Sequence, residues 1–399
     1  MSPTSDAPRT PVFEAHELGP ATVAGNELWL ITNSARQRER FVTDIREARS
    51  RVWLETYIFA DDSFGREIAG LLMDRARAGL DVRLLVDGIG SFATTETLFT
   101  DLRAAGVRVH VFRPVSEGLD RWPFGRWLNR RDHRKLLIVD DDTGYFGGMN
   151  VVDTAQLDTS GAGHVEGWRD AHVRARGPFV AELAAAFLRL WDKFAEKRRV
   201  VWPKWPAPPR PVSPGNDSAA IVIYDSIPAL RFRRPERFLV PLLRSAQRRV
   251  LISMAYFIPT SQVLAAMCDL KKRGGEVEVV VPGISDVPAV GWAARSLYSV
   301  LTKRGIRVHE RSDRMLHSKL IVLDDDRVLV GSCNLDPRSM RHNLELTVVV
   351  RSREFTDLAR RVFDEDRAAS RPVDLAVWKR RPWWQRALDW FAWRMRSWL

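Results

Sequence analysis

DHRKLLIVDDDTGYFGGMN, residues 132–150, sets a His and a Lys two positions apart. An apolar run, an acidic knot and a Gly-Gly-Met-Asn close follow. The chain repeats nearly the same phrase at residues 316–334, LHSKLIVLDDDRVLVGSCN. In the second copy His317, Lys319, Ile321 and Leu323 alternate with Ser318, Leu320 and Val322. Residues two apart on a strand share a face, so this spacing predicts a strand on which His317 and Lys319 project side by side. Asp-Asp-Asp then predicts a turn, and VLVGSCN a returning strand. Gly331 and Ser332 are small, which lets Asn334 approach whatever His317 and Lys319 touch. The first copy carries His133, Lys135, Asp140, Gly147, Gly148 and Asn150, and its His-to-Lys, His-to-Asp and His-to-Asn intervals match those of the second.

The duplication extends outward from the motif. RVWLETYIF (51–59) parallels RVLISMAYF (249–257), GLDVRLLVDGIGS (79–91) parallels GGEVEVVVPGISD (274–286), and GVRVH (106–110) parallels GIRVH (305–309). The order is the same in each set, which predicts two copies of one structural unit. Within a unit, apolar β-rich runs alternate with helical patterns. FGREIAGLLMDRARAGL (64–80) puts Ile68, Leu71, Leu72, Ala76 and Leu80 on one helical face, and TSQVLAAMCDLKKRGG (260–275) opens on a Thr-Ser cap. The expected fold class is α/β: two tandem α/β domains, mixed sheets flanked by helices, with one active site at their pseudo-two-fold interface. Residues 200–218 are dense in Pro and read as a semi-rigid linker. The expected division is a flexible segment over 1–25, a first domain over 26–199, the linker over 200–218, a second domain over 219–370 and a basic, Trp-rich amphipathic segment over 371–399.

Bulk composition narrows the class. The chain has 399 residues, 45% apolar and 28% charged, which suits about two folded domains rather than a disordered chain. A net charge of +12 favours an anionic partner: nucleic acid, anionic lipid or a phosphorylated substrate. Cys268 and Cys333 lie far apart and form no metal or redox pattern, which fits a reducing compartment. The first 25 residues show no signal peptide, and no apolar run is long enough to span a membrane.

Phosphodiester exchange needs a nucleophile on phosphorus, an acid for the leaving oxygen and positive charge on the non-bridging oxygens. A His can serve as nucleophile or as proton donor; one His cannot do both in one step, whereas two can. Two lysines and two asparagines, one of each from either copy, would clamp the phosphoryl oxygens. The lysines bring the charge a metal would bring, so neither metal nor cofactor is expected. Each His also needs its second ring nitrogen held. Asp170 in GWRDAHV and Glu345 in RHNLELTVVV, on strand-like segments after each motif, are the expected orienting carboxylates.

This constellation resembles the phospholipase D superfamily, whose signature HxKxxxxD followed by GG/GSxN is matched in full by both copies. YIFADDSFGREIAGLL, RAGLDVRLLVDGIGS, RRDHRKLLIVD, WRDAHVRARGP and GSCNLDPRSMRHNLE resemble bacterial cardiolipin synthases, over about residues 25–370. The resemblance implies catalytic roles for His133, Lys135, Asn150, His317, Lys319 and Asn334, and a covalent phosphatidyl-histidine attacked by an alcohol. Family practice leans to His133 as nucleophile and His317 as acid and then base. Asp140 and Asp324 belong to the signature and are expected to stabilise the turn, with Gly147, Gly148, Gly331 and Ser332 structural. Many such synthases begin with two membrane-spanning helices; this chain resembles the shorter type without them. The expected function is a phosphatidyltransferase making cardiolipin from phosphatidylglycerol or another phospholipid donor. The alternatives are a phospholipase D-type hydrolase and, less favoured, a phosphodiesterase on nucleic acid. The expected partners are an anionic phospholipid and the membrane surface, with phosphatidylglycerol, glycerol or water as the acceptor. The expected place is peripheral, on the cytoplasmic face of the cell membrane.

Other residues carry plainer readings. His110 and His309 end equivalent strands, and His172 shares a strand face with Asp170; all three read as structural. Cys333 within GSCN has Met149 as its counterpart and reads as packing rather than as a nucleophile. The acidic triplets 140–142 and 324–326 read as hairpin turns rather than a metal site. RWPFGRWLNRR (121–131) reads as a basic, aromatic rim to the site. In WKRRPWWQRALDWFAWRMRSWL (378–399), six of 22 residues are Trp and six are Lys or Arg, against one Asp. At helical spacing Trp384, Leu388, Phe391, Met395, Trp398 and Leu399 share a face, with Gln385, Asp389 and Arg396 opposite. That pattern predicts a helix lying in a membrane interface, or else one packed by its apolar face on the protein core.

Overall fold

The computed structural model describes residues 16–118, 129–154, 167–210, 219–227, 230 and 233–395. Two eight-stranded mixed sheets form the framework. The first contains β1 (Glu17–Val23), β2 (Asn26–Asn33), β3 (Arg51–Thr56), β4 (Asp81–Asp87), β5 (Arg108–Phe112), β6 (Leu136–Val139), β7 (Thr143–Gly147) and β8 (Arg169–Arg176). The second contains β9 (Ala220–Ser226), β10 (Arg249–Met254), β11 (Glu276–Pro282), β12 (Arg307–Arg311), β13 (Lys319–Leu323), β14 (Arg327–Gly331), β15 (Glu345–Arg351) and β16 (Ser370–Pro372).

The sheets repeat one topology. Seven strands run in the order β2-β8-β7-β6-β3-β4-β5 in the first and β9-β15-β14-β13-β10-β11-β12 in the second. Parallel pairing joins β3 to β4 to β5 and β10 to β11 to β12, with antiparallel pairing elsewhere. The parallel strands are joined by the helices Ser63–Arg77 and Ser261–Lys272, which bury Ile68, Ala69 and Leu72, and Val263, Ala266 and Leu270. Each expected hairpin is present, β6 with β7 and β13 with β14. The matched order is what the sequence repeat predicts: two tandem α/β domains.

The domains share a core. One apolar cluster draws Ile138, Phe146 and Val173 from the first sheet and Leu320, Val330 and Val348 from the second, together with Phe187 and Phe355 from the helices Val180–Phe194 and Arg353–Ala368. Two further clusters lie within the first and second domains. Burying these side chains is the main stabilising term, at roughly 25 cal/mol per Å² of apolar surface.

Both ends of the chain differ from the expected division. Glu17–Val23 is not part of a flexible leader: it is an edge strand paired with β2. Pro20 obscures it in the sequence, yet an edge strand tolerates Pro because one backbone edge has no partner, and the register shifts between Leu18 and Ala21. At the other end β16 joins the second sheet, and Trp378 packs on Tyr298 with ring centroids 4.8 Å apart. The linker packs through Trp205 against Tyr224 and Phe238 as far as it is described; residues 211–218 lie outside the described residues.

The helix Trp383–Arg394 is oriented opposite to the core-packing expectation. It packs on the helix Pro288–Arg295, burying Asp389 and Ala392. Its apolar side faces outward: Trp383 is 78%, Trp384 51%, Trp390 62% and Phe391 62% exposed. Trp398, Leu399, Arg396 and the side chain of Trp393 lie outside the described residues, as do positions 121–128 of the basic rim.

Candidate active site

Both HxK segments enter their hairpins from the interface between domains. His133 and His317 lie just ahead of β6 and β13 rather than within them. Each is stitched by its backbone to the other domain. The His133 N–H donates to Leu344 O at 2.9 Å, and Leu344 N–H donates to Arg131 O at 2.8 Å. Reciprocally, Arg169 N–H donates to Met315 O at 2.9 Å, and His317 N–H to Arg169 O at 2.7 Å. The residues after Leu344 and Arg169 are Glu345 and Asp170. The stitches therefore set each carboxylate against the histidine of the opposite domain.

Glu345 lies 3.1 Å from His133 Nδ1 through both oxygens, and Asp170 Oδ2 lies 2.6 Å from His317 Nδ1. The pairing is crossed: the first domain's His is held by the second domain's carboxylate, and the reverse. With Nδ1 facing a carboxylate, the catalytic position of each ring is Nε2, which in His317 is met by Lys319.

The lysines lie against their own histidines, and Asn150 lines a small cavity with Asp170 and His317. Lys135 Nζ donates to His133 O at 2.5 Å, and Lys319 Nζ lies 2.9 Å from His317 Nε2. Asn150 accepts from the Ile58 N–H at 3.2 Å, and both Asn150 and Asn334 are buried. Burial drives the His133 imidazole well below the usual histidine range, aided by the charges of Lys135, Lys319 and His317. The two copies are thus in electrostatic contact. Burial likewise pushes Lys135 down to about 7 and Lys319 to about 8, against the pull of the nearby carboxylates.

The half-sites differ electrostatically. Burial raises Glu345 to about 7, although the Lys135 charge and hydrogen bonds from Ser332 and Asn343 oppose it. Burial also works to raise Asp170, yet the charges of His317 and Lys319 outweigh it and hold that carboxyl below its ordinary value. His317 is lowered by burial and by Lys319, with Asp170 pulling it back up.

The small residues have specific reasons. A Cβ on Gly148 would sit 2.1 Å from Asp170 Oδ1, so only Gly leaves that carboxylate its place. The second copy has Ser332 there, and its hydroxyl donates to Glu345 Oε2 at 2.5 Å while accepting from Leu346 N–H at 3.0 Å. Asp140 and Asp324 lie outside the centre. Asp140 accepts from the N–H groups of Arg49, Ser50 and Arg51, and Asp324 from those of Gln247, Arg248 and Arg249. They tie each hairpin to the start of β3 or β10, a wider role than stabilising their own turn.

His172 is buried beside Phe41 and Tyr145, and burial pushes it down to about 3. His309 pairs with Glu278 at 2.8 Å. Cys333 is half-buried, and burial raises its thiol well above the ordinary range, which suits packing. Two aromatic neighbours escaped the sequence reading: Tyr57 lies edge-on to His133 at 5.1 Å, and Trp168 lies 5.2 Å from His317. Each opens a stretch that carries the family resemblance, Tyr57 in YIFADDSFGREIAGLL and Trp168 in WRDAHVRARGP, which is the signal that could have found them.

Tandem sheets that share one His/Lys/Asn centre define a phospholipase D-like enzyme. The sequence profile described as "Cardiolipin synthase, PLD-like domain" matches residues 41–191 and 239–367. Cardiolipin synthase A of Escherichia coli O157:H7 is 31% identical over 386 residues, which cover 95% of this chain and 77% of the relative. Cardiolipin synthase 1 of Staphylococcus epidermidis RP62A is 30% identical over 357 residues, which cover 90% of this chain and 71% of the relative. A phosphatidylserine synthase structure from Haemophilus influenzae Rd KW20 shares the fold, with a TM-score of 0.70 at 15% identity, covering 93% of this chain and 95% of that one. The chain belongs to the cardiolipin synthase family of phospholipase D-like proteins.

Proposed function

We propose that the protein makes cardiolipin by phosphatidyl transfer, with phosphatidylglycerol as donor and as acceptor. The observation that carries this reading is the crossed pairing of His133 with Glu345 and His317 with Asp170, which supplies two oriented imidazoles to one centre. His133 Nε2 attacks the donor phosphorus and forms an N–P bond. The P–O bond to the glycerol headgroup breaks, and His317 delivers its Nε2 proton to the departing oxygen. The acceptor's hydroxyl then gives its proton to His317 and attacks phosphorus. The N–P bond breaks, leaving cardiolipin and a neutral His133. Lys135, Lys319, Asn150 and Asn334 hold the non-bridging oxygens as charge redistributes in each step.

The assignment of roles follows from the electrostatics. His133 is held well below the ordinary range, which favours the neutral ring a nucleophile requires. Burial and Lys319 hold His317 below the ordinary range too, but the ionised Asp170 pulls it back up, which leaves His317 the readier of the two to carry the proton an acid requires. We read the enzyme as peripheral on the cytoplasmic face of the membrane. The outward Trp-rich helix supports the peripheral part, and Cys268 and Cys333, both free thiols, support the cytoplasmic part. No helix among the described residues is long and apolar enough to cross a membrane.

The test supplies purified protein with phosphatidylglycerol labelled in the headgroup or the acyl chains. Labelled cardiolipin with stoichiometric free glycerol supports the proposal. Phosphatidic acid as the sole product makes the enzyme a hydrolase, and transfer only from phosphatidylethanolamine replaces the donor.

A further inference from the structure

A cleft of about 920 Å³ lies between the helix Trp383–Arg394 and the second domain, away from the histidines. Arg304, Arg341, Arg381, Arg386 and Arg394 line it, against the carboxylates of Glu236 and Asp389. Asp389 is buried and pairs with Arg381 at 2.9 Å. The one acidic residue of the helix is thereby turned inward and neutralised. Arg304, Arg341, Arg386 and Arg394 are exposed and pair with no carboxylate among the described residues. On the same helix, the side turned away from the protein carries Trp384, Leu388, Phe391 and Met395, all exposed, while Trp390 is exposed at the wall of the cleft. Cationic cleft and apolar ridge therefore adjoin on one element. Phospholipids have the complementary arrangement, a phosphate ester beside acyl chains, and Trp with Arg suits the headgroup boundary.

We propose that this cleft is a second phospholipid site, separate from the catalytic centre, which takes the phosphodiester headgroup of an anionic membrane lipid while the outward face of the helix lies in the acyl boundary. The choice of a bilayer as the lipid's source rests on the proposed phospholipid chemistry. One wall of the cleft is tied to the segment that follows Asn334: Ile258 and Pro337 line it, and the Ile258 N–H donates to Leu335 O at 2.7 Å. Occupancy would hold the enzyme on the surface that contains its substrate.

The test uses the full chain in co-sedimentation with phosphatidylcholine vesicles, with and without phosphatidylserine. A parallel assay follows transfer from soluble short-chain phosphatidylglycerol. Wild-type protein is expected to prefer the anionic vesicles and to lose that preference in high salt. Combining Arg304→Gln, Arg341→Gln and Arg386→Gln is expected to weaken binding to anionic vesicles on the order of 100-fold, since each cation near such a surface contributes about 1 kcal/mol. Short-chain transfer should be retained, which also reports that the variant is folded. A second variant, Trp384→Ser with Phe391→Ser, is expected to reduce binding to both vesicle types. Unchanged binding by the arginine variant overturns the proposal. Displacement by glycerol 3-phosphate at matched phosphate concentration overturns it in favour of a free-phosphate site. A dimer that dissociates on the Trp384/Phe391 change overturns it in favour of a second copy covering the ridge. Absence of short-chain transfer in the wild type refutes the proposed function instead, and leaves the vesicle result to be read alone.

Discussion

Gly148 shows how closely the centre is built. Its absent Cβ is the space Asp170 occupies, and Asp170 holds His317 at 2.6 Å. Gly148→Ala is expected to displace the carboxylate and lower kcat by about 10²-fold or more, since an unheld imidazole loses tautomer and orientation. Circular dichroism should show the fold retained; full activity would refute the link. The lysines set a pH dependence. Burial leaves Lys135 near about 7 and Lys319 near about 8, so each loses its proton as pH rises through that window. The positive charge proposed to hold the phosphoryl oxygens is present below it and lost above, so kcat/KM should fall on the alkaline side. A bound phosphodiester anion favours the charged lysines, so kcat should fall at higher pH than kcat/KM. Coincident alkaline limbs, or a flat kcat/KM profile, would contradict this account.

Among the elements, the helix Arg353–Ala368 does more than cover a sheet. Its Asp366 accepts from Arg169 Nε at 2.8 Å, from Arg311 at 2.8 Å and from Ser253 Oγ at 2.9 Å, all buried. Arg169 opens β8 immediately before Asp170, so this network links the second domain's helix to the strand that carries a site carboxylate. Removing one member of a buried ion network costs about 3–5 kcal/mol, because the remaining charges stay desolvated. Asp366→Ala is expected to lower stability by about that amount in urea denaturation, and activity with it. A stability loss below about 1 kcal/mol would mean that the guanidiniums find water or other partners. The hairpins β6–β7 and β13–β14 were readable from alternation alone. The edge strand β1 was not, because pairing with β2, rather than its own composition, makes Glu17–Val23 a strand.

For the molecule as a whole, each candidate histidine is held by a carboxylate of the other domain. His133→Ala and His317→Ala are each expected to abolish turnover, and the double variant to be hardly worse, because residues that act as one unit are non-additive. Activity in either single variant within about tenfold of wild type would break the two-histidine mechanism. If Lys135 and Lys319 supply the charge on the phosphoryl oxygens, as proposed, turnover should survive exhaustive chelation; a loss restored by one divalent ion would reassign that charge to a metal.

The sequence by itself determined the α/β class, the duplication and the inventory of the centre. Periodicity of two marks the strands, matched intervals mark the copies, and His, Lys and Asn have few reasons to recur together at those intervals. It also brought Asp170 and Glu345 forward as orienting carboxylates. Only the tertiary structure decided which histidine each one meets. The partners stand 147 and 212 residues apart in the chain, and the backbone stitches that bring them together form only when the two sheets bury their shared apolar cluster. The same holds for the C-terminal helix. Its apolar face was evident from spacing at 3.6 residues per turn, but spacing has no sense of inside and outside. The pairing of Asp389 with Arg381 and the burial of Ala392 fix the helix by its other side, and that contact leaves the Trp-rich face outward.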